Sequence, residues 1–286
     1  MAELRGRTNV AIDLPLIRHM ILNAIRSYKA KFGRTYGEMV IACDSRHYWR
    51  KDVFPHYKAN RKKNRDASGF DWGSIFEALN IIKNELTEHF PYPVLEIKGA
   101  EADDIIASMV MWLQENECLE TGALFTQPQP IMILSGDHDF QQLQRYANVE
   151  QYSPIEKKPI KIMGSPDEVL AAHIIQGDRG DGVPNILSPD DVFVSGGRQK
   201  AIRSVALEVW KTQKPEEFLT EREHLANHQR NTQLIDLSKV PAELQGEIVN
   251  EYQKLKQTKD GKPKPDLLNY FITHQMPNLV EHMGDF

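Results

Sequence analysis

The chain has little cysteine and no long apolar run. Its 286 residues include only Cys43 and Cys118, and these form no recognisable metal or redox motif. No apolar run approaches the roughly 18 residues that a membrane span needs. The first ten residues are not followed by the apolar segment of a secretion signal. These absences argue against a disulfide-stabilised secreted domain and a membrane protein, and they favour a cytoplasmic protein.

The chain also lacks an overall excess of basic residues, since 40 acids outnumber 35 lysines and arginines. The net charge of −5 alone argues against a nucleic-acid partner, because affinity for phosphate comes from Lys and Arg. Residues 46–65 are the exception, with eight Lys or Arg against one acid, and with the interleaved aromatics Tyr48, Trp49, Phe54 and Tyr57. Because aromatic rings stack on bases, this segment favours a nucleic-acid-binding loop; a solvated charged loop is the alternative.

Helical and strand patterns alternate along the first 163 residues. Apolar spacing predicts helices in LPLIRHMILNAIRSY, DWGSIFEALNIIKNELTEHF and AEADDIIASMVMWLQEN, and strands in EMVIACD, YPVLEIKG and PIMILSG. Such alternation predicts an α/β fold with a mainly parallel sheet and helices on both faces. The later pattern is helical, with a charged loop at 256–266. We therefore predict two domains, 1–163 and 164–286.

Eight acidic residues lie at the ends of predicted strands, at the start of a predicted helix, or in a Gly-rich turn. In a parallel α/β sheet the carboxyl ends of the strands open on one edge, where sites form. Two like charges 4 Å apart repel by about 4 kcal/mol at an effective dielectric of 20, so a cluster of acids needs cations. We expect these side chains to converge: Asp44, Glu101, Asp103, Asp104, Asp137, Asp139, Asp178 and Asp181.

Divalent metal ions are the predicted counter-charge. Few Lys or Arg residues stand beside these acids in the sequence, with Arg179 the main exception, and carboxylate oxygens are the ligands that Mg²⁺ and Mn²⁺ prefer. Two such ions can activate a water and stabilise the leaving oxygen of a phosphodiester. Each acid alone also has a simpler interpretation, as a turn residue or, for Glu101, as a helix N-terminal acid. His138, between two of the acids, is expected to point away.

Five motifs resemble the flap endonuclease, or 5′ nuclease, family in order and approximate spacing: CDSRHYWR, YKANRKKNR, GAEADDIIA, ILSGDHDFQQL and GDRGDGVPN. The resemblance runs from about Leu16 to the C-terminus and is strongest to phage members. It implies a PIN-like 5′ nuclease core and a C-terminal helical domain with a helix-hairpin DNA-binding turn. It further implies a hydrolase that acts as 5′→3′ exonuclease and flap endonuclease, removing RNA primers and 5′ single strands during DNA replication with two Mg²⁺ or Mn²⁺ ions.

The resemblance also implies roles for individual residues. The first metal group would be Asp44, Glu101, Asp104 and Asp137 with Asp103 beside them, and the second would be Asp139, Asp178 and Asp181. The catalytic set would be Asp44, Glu101, Asp104, Asp137 and Asp139. A basic arch at about 46–70 would steer the 5′ strand, and the helix-hairpin turn would grip the duplex with a bound K⁺. The DNA-binding set would be Arg50, Lys51, Tyr57, Lys58, Arg61, Lys62, Gly177 and Gly182.

One departure from the family concerns the N-terminus. The family begins with a strand that ends in a metal-binding Asp, whereas only about fifteen residues precede the first helix here. NVAID resembles a short strand that ends in Asp13, which could supply that ligand, although its place before Leu14 and Pro15 favours a helix N-cap. The expectation is a truncated N-terminus or one ligand fewer, which would weaken catalysis. The alternative function is a catalytically impaired, structure-specific DNA-binding protein.

Other classes fit less well. A haloacid dehalogenase phosphatase also carries a DxD after a strand, but its motif lies near the N-terminus and continues with Thr or Val rather than Phe140. The expected partners are DNA and RNA/DNA duplexes with 5′ ends or flaps. A sliding clamp and a single-strand-binding protein follow from the family alone, and a monomer in a bacterial host cytoplasm is expected.

Overall fold

The computed structural model describes residues 13–116, 118–121, 125–260 and 266–286. It contains two compact units. Unit 1 comprises Met1–Ile41, Lys62–Leu95 and Glu251–Phe286, and unit 2 comprises Ala42–Arg61 and Glu96–Asn250. The sequence-based division near Met163 stays a prediction, and most of the predicted strand NVAID lies outside the described residues.

Helices dominate both units. The α-helices are α1 Leu14–Tyr36, α2 Arg50–Val53, α3 Asn60–Ser68, α4 Trp72–His89, α5 Ala102–Asn116, α6 Pro166–Gln176, α7 Ser204–Trp210, α8 Pro215–Phe218, α9 Arg222–Ile235, α10 Ala242–Asp260, α11 Leu267–Thr273 and α12 Pro277–Val280. Short 3₁₀ helices span His138–Arg145, Leu237–Lys239 and Met283–Asp285. Among the described helices, none combines the length and apolarity needed to cross a membrane.

Side-chain caps fix where the predicted helices begin. The carboxylate of Asp13 accepts a hydrogen bond of 3.1 Å from the Leu16 amide, with proline in the first turn of α1. Asp71 and Ser165 cap α4 and α6 in the same way. Each cap satisfies an amide that the helix itself leaves free. The predicted N-cap role of Asp13 is therefore confirmed.

The strands are short and form three small sheets. They are β1 Ile41–Ala42, β2 Val94–Leu95, β3 Cys118–Thr121, β4 Phe125–Pro128, β5 Ile131–Leu134, β6 Val149–Ser153 and β7 Lys158–Ile160. Strand β1 pairs with β2 and β3 with β4, while β5 runs parallel to β6 and β7 antiparallel to β6. The predicted fold class is confirmed, but the sheet is more fragmented than expected because the chain soon leaves each strand for a turn.

Strand β6, which the sequence patterns did not reveal, holds the loop after β5. The buried Gln151 amide donates to the carbonyls of Ser135 at 3.0 Å and Asp137 at 2.6 Å. The 3₁₀ helix that follows packs Phe140 and Leu143 into an apolar cluster with α5 and β5. The acidic loop therefore sits on a fixed support.

Gln142 joins the same 3₁₀ helix to the C-terminal helices. This side chain is 3% exposed, donates to the Ile235 carbonyl at 3.1 Å and accepts from the Leu237 amide at 2.8 Å. The turn between α9 and Leu237–Lys239 is thereby hydrogen-bonded to the segment that carries the DxD motif.

An aromatic cluster lies in unit 1. Its side chains pack around Phe90, whose ring centroid lies 5.2 Å from Tyr270 and 6.2 Å from Phe271.

Helix α10 continues to Asp260, so the loop prediction was wrong for residues 256–260. Lys and Gln are good helix formers, and a charged segment can extend a helix into solvent.

A buried ion pair joins α1 to α4 in unit 1. The Arg18 guanidinium donates twice to the Glu85 carboxylate, each at 2.7 Å, and the Tyr270 hydroxyl donates at 2.8 Å. Burial alone would raise the pKa of Glu85, but the hydrogen bonds from Arg18 and Tyr270 hold it below its ordinary value. The ionised form of Glu85 is thus stabilised by folding.

Replacing Glu85 with Gln should lower the free energy of unfolding by about 2 kcal/mol at pH 7, because a buried guanidinium loses its charge partner. The depressed pKa stabilises the fold above the unfolded value of about 4.3 and ceases to do so as the pH falls. Urea denaturation at several pH values should therefore show the two proteins converging below pH 4.

Glu88→Gln on the same helix is the matched control, because the Glu88 side chain is 76% exposed. It should unfold as the wild type does at every pH. A Glu85→Gln protein as stable as wild type at pH 7 would show that the ion pair does not stabilise unit 1.

Candidate functional site

Arg50 lies buried between two of the predicted metal ligands in unit 2. It is 2% exposed, and its Nη1 lies 2.9 Å from Glu101 Oε2 and 2.7 Å from Asp104 Oδ1. Its Nε donates to the Leu234 carbonyl at 2.8 Å. Burial alone would lower the pKa of Arg50, but the nearby carboxylates together have the larger effect and raise it above its ordinary value. Arg50, predicted to bind DNA, is therefore a structural cation in this conformation.

Lys58 and Tyr57 connect Glu101 to Asp181. Lys58 Nζ forms an ion pair with Glu101 Oε1 and lies 3.4 Å from Asp181 Oδ2. The Tyr57 hydroxyl lies 3.0 Å from Glu101 and 2.8 Å from Asp181, and its single proton serves one acceptor at a time. Arg61 donates to the other Asp181 oxygen at 2.6 Å. Acids from two distant motifs thus share basic partners.

Two expectations about the basic segment were wrong. The sequence placed few cations beside the acids, yet Lys and Arg side chains neutralise Glu101, Asp104 and Asp181. The aromatics Phe54 and Tyr57, expected to stack on bases, are 3% and 4% exposed. The sequence of this segment is typical of a solvated charged loop and reveals neither the ion pairs nor the buried aromatic rings. The residues that pair with the segment lie far away in the chain.

Backbone amides at the start of α5 bring Asp44 and Asp104 to the same place. Asp44 Oδ1 accepts from the Ala102 amide at 2.8 Å, and Asp104 Oδ2 accepts from the Glu101 amide at 2.9 Å. The Trp49 indole donates to Asp104 Oδ2 at 3.2 Å. These bonds stabilise negative charge at a helix N-terminus, where the macrodipole also favours it. The segment that follows β1 and the start of α5 are therefore adjacent.

Asp103 and Asp137 are neighbouring acids, and among the described residues neither forms an ion pair with Lys or Arg. Burial and then the nearby charges of Asp137 and Asp139 raise the pKa of Asp103 to about 8. Asp137 caps the 3₁₀ helix by accepting the Asp139 amide at 3.1 Å. Acidic side chains are therefore concentrated here.

His173, which the sequence patterns missed, lies between Asp139 and Asp178. Its Nδ1 is 3.2 Å from Asp139 Oδ1 and its Nε2 is 3.5 Å from Asp178 Oδ2. Burial alone would lower the pKa of His173, but these carboxylates raise it to about 10. Burial opposes ionisation of Asp178, yet hydrogen bonds from His173 and the backbone lower its pKa to about 2. His173 lies in the last turn of α6, just before the acidic turn, and this position was the signal in the sequence that could have indicated its contact with Asp178.

The turn that carries Asp178 and Asp181 needs its glycines. Gly177 has φ 68° and Gly182 has φ 75°, a region that favours glycine. A Cβ at Gly182 would lie 3.1 Å from the His56 carbonyl oxygen. The Lys58 amide donates to the Asp181 carbonyl at 2.6 Å. The predicted DNA-binding role of these glycines is untested, but both allow a tight turn.

The remaining predicted side chains lie at the surface. Lys51 is exposed and its Nζ lies 4.9 Å from the Tyr48 ring centroid, and Lys62 is exposed on α3. His138 is exposed and pairs with Gln141 at 2.8 Å, as expected for a residue outside the acidic cluster. Shared side-chain partners thus link Glu101, Asp104 and Asp181 in one group and Asp139 and Asp178 in another. Lys51 and Lys62 are exposed.

Two family models match the chain. Residues 11–172 match the 5′-3′ exonuclease, N-terminal resolvase-like domain, and residues 164–286 match the C-terminal domain of T4 RNase H. The chain belongs to the 5′-3′ exonuclease family. The recognition made from the five motifs is therefore confirmed, and this family member is a phosphodiester-hydrolysing nuclease by descent.

Known relatives agree with this assignment. The chain is 32% identical to ribonuclease H of Enterobacteria phage T4, over 96% of this chain and 88% of that protein. The structure of phage T5 5′-exonuclease with bound zinc matches with a TM-score of 0.56 and 15% identity, over 84% and 91% of the two chains. A phage T5 flap endonuclease in complex with DNA and metal ions matches with a TM-score of 0.52 and 14% identity, over 82% and 90%. These structural likenesses support the fold.

Replacing Arg50 with Gln should destabilise this nuclease by about 3–5 kcal/mol, because two buried carboxylates lose their shared cation. Chemical denaturation of the full chain would measure the decrease in its free energy of unfolding. Lys51→Gln, at the exposed neighbouring position, is the control and should leave stability within about 0.5 kcal/mol of wild type. Normal stability of Arg50→Gln combined with weakened DNA binding would instead assign Arg50 to the nucleic acid.

Proposed function

We propose that this chain is a Mg²⁺-dependent 5′→3′ exonuclease and flap endonuclease that removes RNA primers and 5′ single strands during DNA replication. The observation that carries the proposal is the close grouping of three acidic side chains, Asp103, Asp137 and Asp139. Burial and like charge raise the pKa of Asp103 to about 8. A fold keeps such a group when a ligand of opposite charge offsets the repulsion.

The donor set fits divalent cations. The side chains are carboxylates, which are the oxygen ligands that Mg²⁺ and Mn²⁺ favour. Asp139 Oδ1 is buried and accepts no hydrogen bond of acceptable geometry. A buried oxygen without a hydrogen bond is costly unless something else binds it. We assign the first ion to Asp44, Glu101, Asp103, Asp104 and Asp137, and the second to Asp139, Asp178 and Asp181.

A pair of divalent ions supplies water activation and stabilises the leaving oxygen in phosphodiester hydrolysis. The chain's own residues position the reactants. Asp137 and Asp139 are fixed by the 3₁₀ helix and by Gln151. Lys58 and Arg61, which pair with Glu101 and Asp181, are cations beside the acids and would attract a phosphate of the substrate.

The substrate would follow exposed basic groups. We assign the 5′ strand to Lys51, Arg61 and Lys62 and to the arch around them, and the duplex backbone to the turn from Gly177 to Gly182 with a K⁺ ion. A sliding clamp and a single-strand-binding protein are proposed partners, and a bacterial host cytoplasm is the proposed location.

A second candidate function is a DNA-binding protein with impaired catalysis. The ion pairs of Arg50 and Lys58 with Glu101 favour it, because a carboxylate neutralised by protein cations binds metal less strongly. Cleavage by the unmodified chain separates the two candidates.

Asp137→Asn should reduce cleavage of a 5′-labelled flap duplex in Mg²⁺ by about 100-fold or more, a typical loss when one charge-stabilising group is removed. Asn retains the oxygen that caps the 3₁₀ helix, so folding should be unchanged. A binding titration in Ca²⁺ should show wild-type affinity for the duplex.

Asp167→Asn, which alters an acid whose side chain is 82% exposed on α6, is the control and should cut as wild type does. EDTA should abolish cutting by both proteins. Tight binding by wild type without cutting in any metal would favour the DNA-binding protein, and full activity in Asp137→Asn would reject the first metal group.

The double variant Arg61→Ala, Lys62→Ala should bind substrates with a free 5′ strand more weakly. The plot of log affinity against log salt has a negative slope, and each lost phosphate contact should make that slope shallower by roughly 0.7 to 1. Fluorescence anisotropy at several salt concentrations measures the slope. Lys254→Ala, whose side chain is 72% exposed, should not change it, and an unchanged slope in the double variant would remove this segment from the DNA path.

A further inference from the structure

The imidazole of His173 makes the cluster around Asp139 chemically different from a set of carboxylates. One ligand atom each from Asp139, His173 and Asp178 can be chosen so that all lie within 4.8 Å of one another. In the described part of the chain this is the one such group of three His, Cys, Asp or Glu side chains. The loop after β5, the end of α6 and the turn after it each contribute one residue.

The three side chains are held by bonds outside the cluster. The Asp178 carboxylate accepts the Asp181 amide through Oδ1 at 3.0 Å, which leaves Oδ2 facing His173. His173 is in the last turn of α6, where its carbonyl accepts the Gly177 amide at 2.8 Å. Asp139 follows the capped start of its 3₁₀ helix. Each ligand therefore comes from backbone that is already ordered.

Asp139 supplies a second, independent sign of a ligand. Its Oδ1 atom is buried and accepts no hydrogen bond of acceptable geometry, although His173 Nδ1 lies 3.2 Å away. This oxygen is paired with His173 by charge but keeps an acceptor lone pair that no well-formed hydrogen bond uses. A metal ion satisfies such an oxygen better than an imidazole placed at an unfavourable angle.

The donor types decide which ion this cluster selects. Carboxylate oxygens alone suit Mg²⁺ and Ca²⁺, whereas imidazole nitrogen suits first-row transition metals such as Zn²⁺ and Ni²⁺, and affinity rises from Mn²⁺ through Co²⁺ to Ni²⁺. His173 must release a proton to bind a metal ion, and its neutral nitrogen then supplies one negative charge fewer than a carboxylate in the same place. That change weakens Mg²⁺ binding more than it weakens transition-metal binding.

We propose that His173 is a metal ligand and that, with Asp139 and Asp178, it makes the second metal position select a transition metal of the Co²⁺ and Zn²⁺ class over Mg²⁺. The inference rests on the proposed function in one respect, because Asp139 and Asp178 belong to the second metal group assigned there. His173 is the residue that determines the ion preference of that position. The alternative is that His173 only neutralises the two carboxylates.

The test is a titration of the full chain with Co²⁺, followed by its visible absorption, and with Mg²⁺ in competition. His173→Gln should bind Co²⁺ at least about 10-fold more weakly, because loss of a ligand should cost no less than loss of a group that only orients a ligand, about 10- to 100-fold. Its Mg²⁺ affinity should stay within about threefold of wild type. His138→Gln, a neighbouring exposed imidazole, is the matched control and should bind Co²⁺ as wild type does.

X-ray absorption of wild-type protein loaded with one equivalent of Zn²⁺ tests the same inference without relying on a variant. The inference predicts imidazole scattering in the X-ray absorption spectrum of wild type. That scattering should be lost from the X-ray absorption spectrum of His173→Gln, provided that circular dichroism shows the variant to be folded. If His173→Gln does not fold, the X-ray absorption spectrum of His138→Gln must still show the imidazole scattering seen in wild type. Absence of imidazole scattering in wild type, or equal Co²⁺ affinity in a folded His173→Gln, would overturn the inference.

Failure of this inference is distinct from failure of the proposed function. Flap cleavage in Mg²⁺ by wild type, combined with equal Co²⁺ affinity in His173→Gln, removes the role of His173 and leaves the nuclease. Loss of Co²⁺ affinity in the variant, without flap cleavage by wild type in any metal, supports the ion preference and rejects the proposed function.

Discussion

Repulsion between carboxylates is the constraint on which unit 2 depends. Two such charges 4 Å apart repel by about 4 kcal/mol at an effective dielectric of 20, and acids from several motifs share partners here. The fold answers in two ways: Arg50, Lys58 and Arg61 neutralise one side of the group, and His173 joins Asp139 to Asp178. Asp103 remains without a cation, and burial and nearby acids raise its pKa to about 8.

This division of charge unites motifs that are distant in the sequence. The YKANR and GDRGD motifs meet through the Lys58 amide and the Asp181 carbonyl, 2.6 Å apart, as well as through their side chains. The basic segment is therefore anchored to the acids at one end and exposed farther along. Lys58 consequently contacts the carboxylates of Glu101 and Asp181, while Lys62 faces solvent.

Local chemistry made much of the molecule predictable. The caps at Asp13 and Ser165 and the apolar spacing of α1, α4 and α5 are properties of short segments, and the sequence reveals them. The placement of acids after β1 and β5 and at the start of α5 could also be predicted, because the sequence shows where these elements end and begin. The metal-binding role of these acids stays a prediction. The role of Arg50 could not be predicted, since its carboxylate partners lie 51 or more residues away along the chain. His173 lies five residues before Asp178 but 34 residues after its other partner, Asp139, so the sequence did not reveal that it joins the two. Strands β6 and β7 escaped because their polar residues break the apolar pattern that marks β5.

The buried amide of Gln142 has a consequence for how this family can recombine. Gln142 is hydrogen-bonded at both ends to the turn after α9, and Arg50 donates to Leu234 just before it. The boundary between the two matched family segments is therefore a boundary of sequence similarity and not a cut between self-sufficient modules. A chimera that exchanged the C-terminal half with that of a relative would inherit partners for both groups only if the carbonyls of residues 234 and 235 and the amide of 237 kept their positions. The exchange would have to conserve backbone geometry, whatever side chains it replaced.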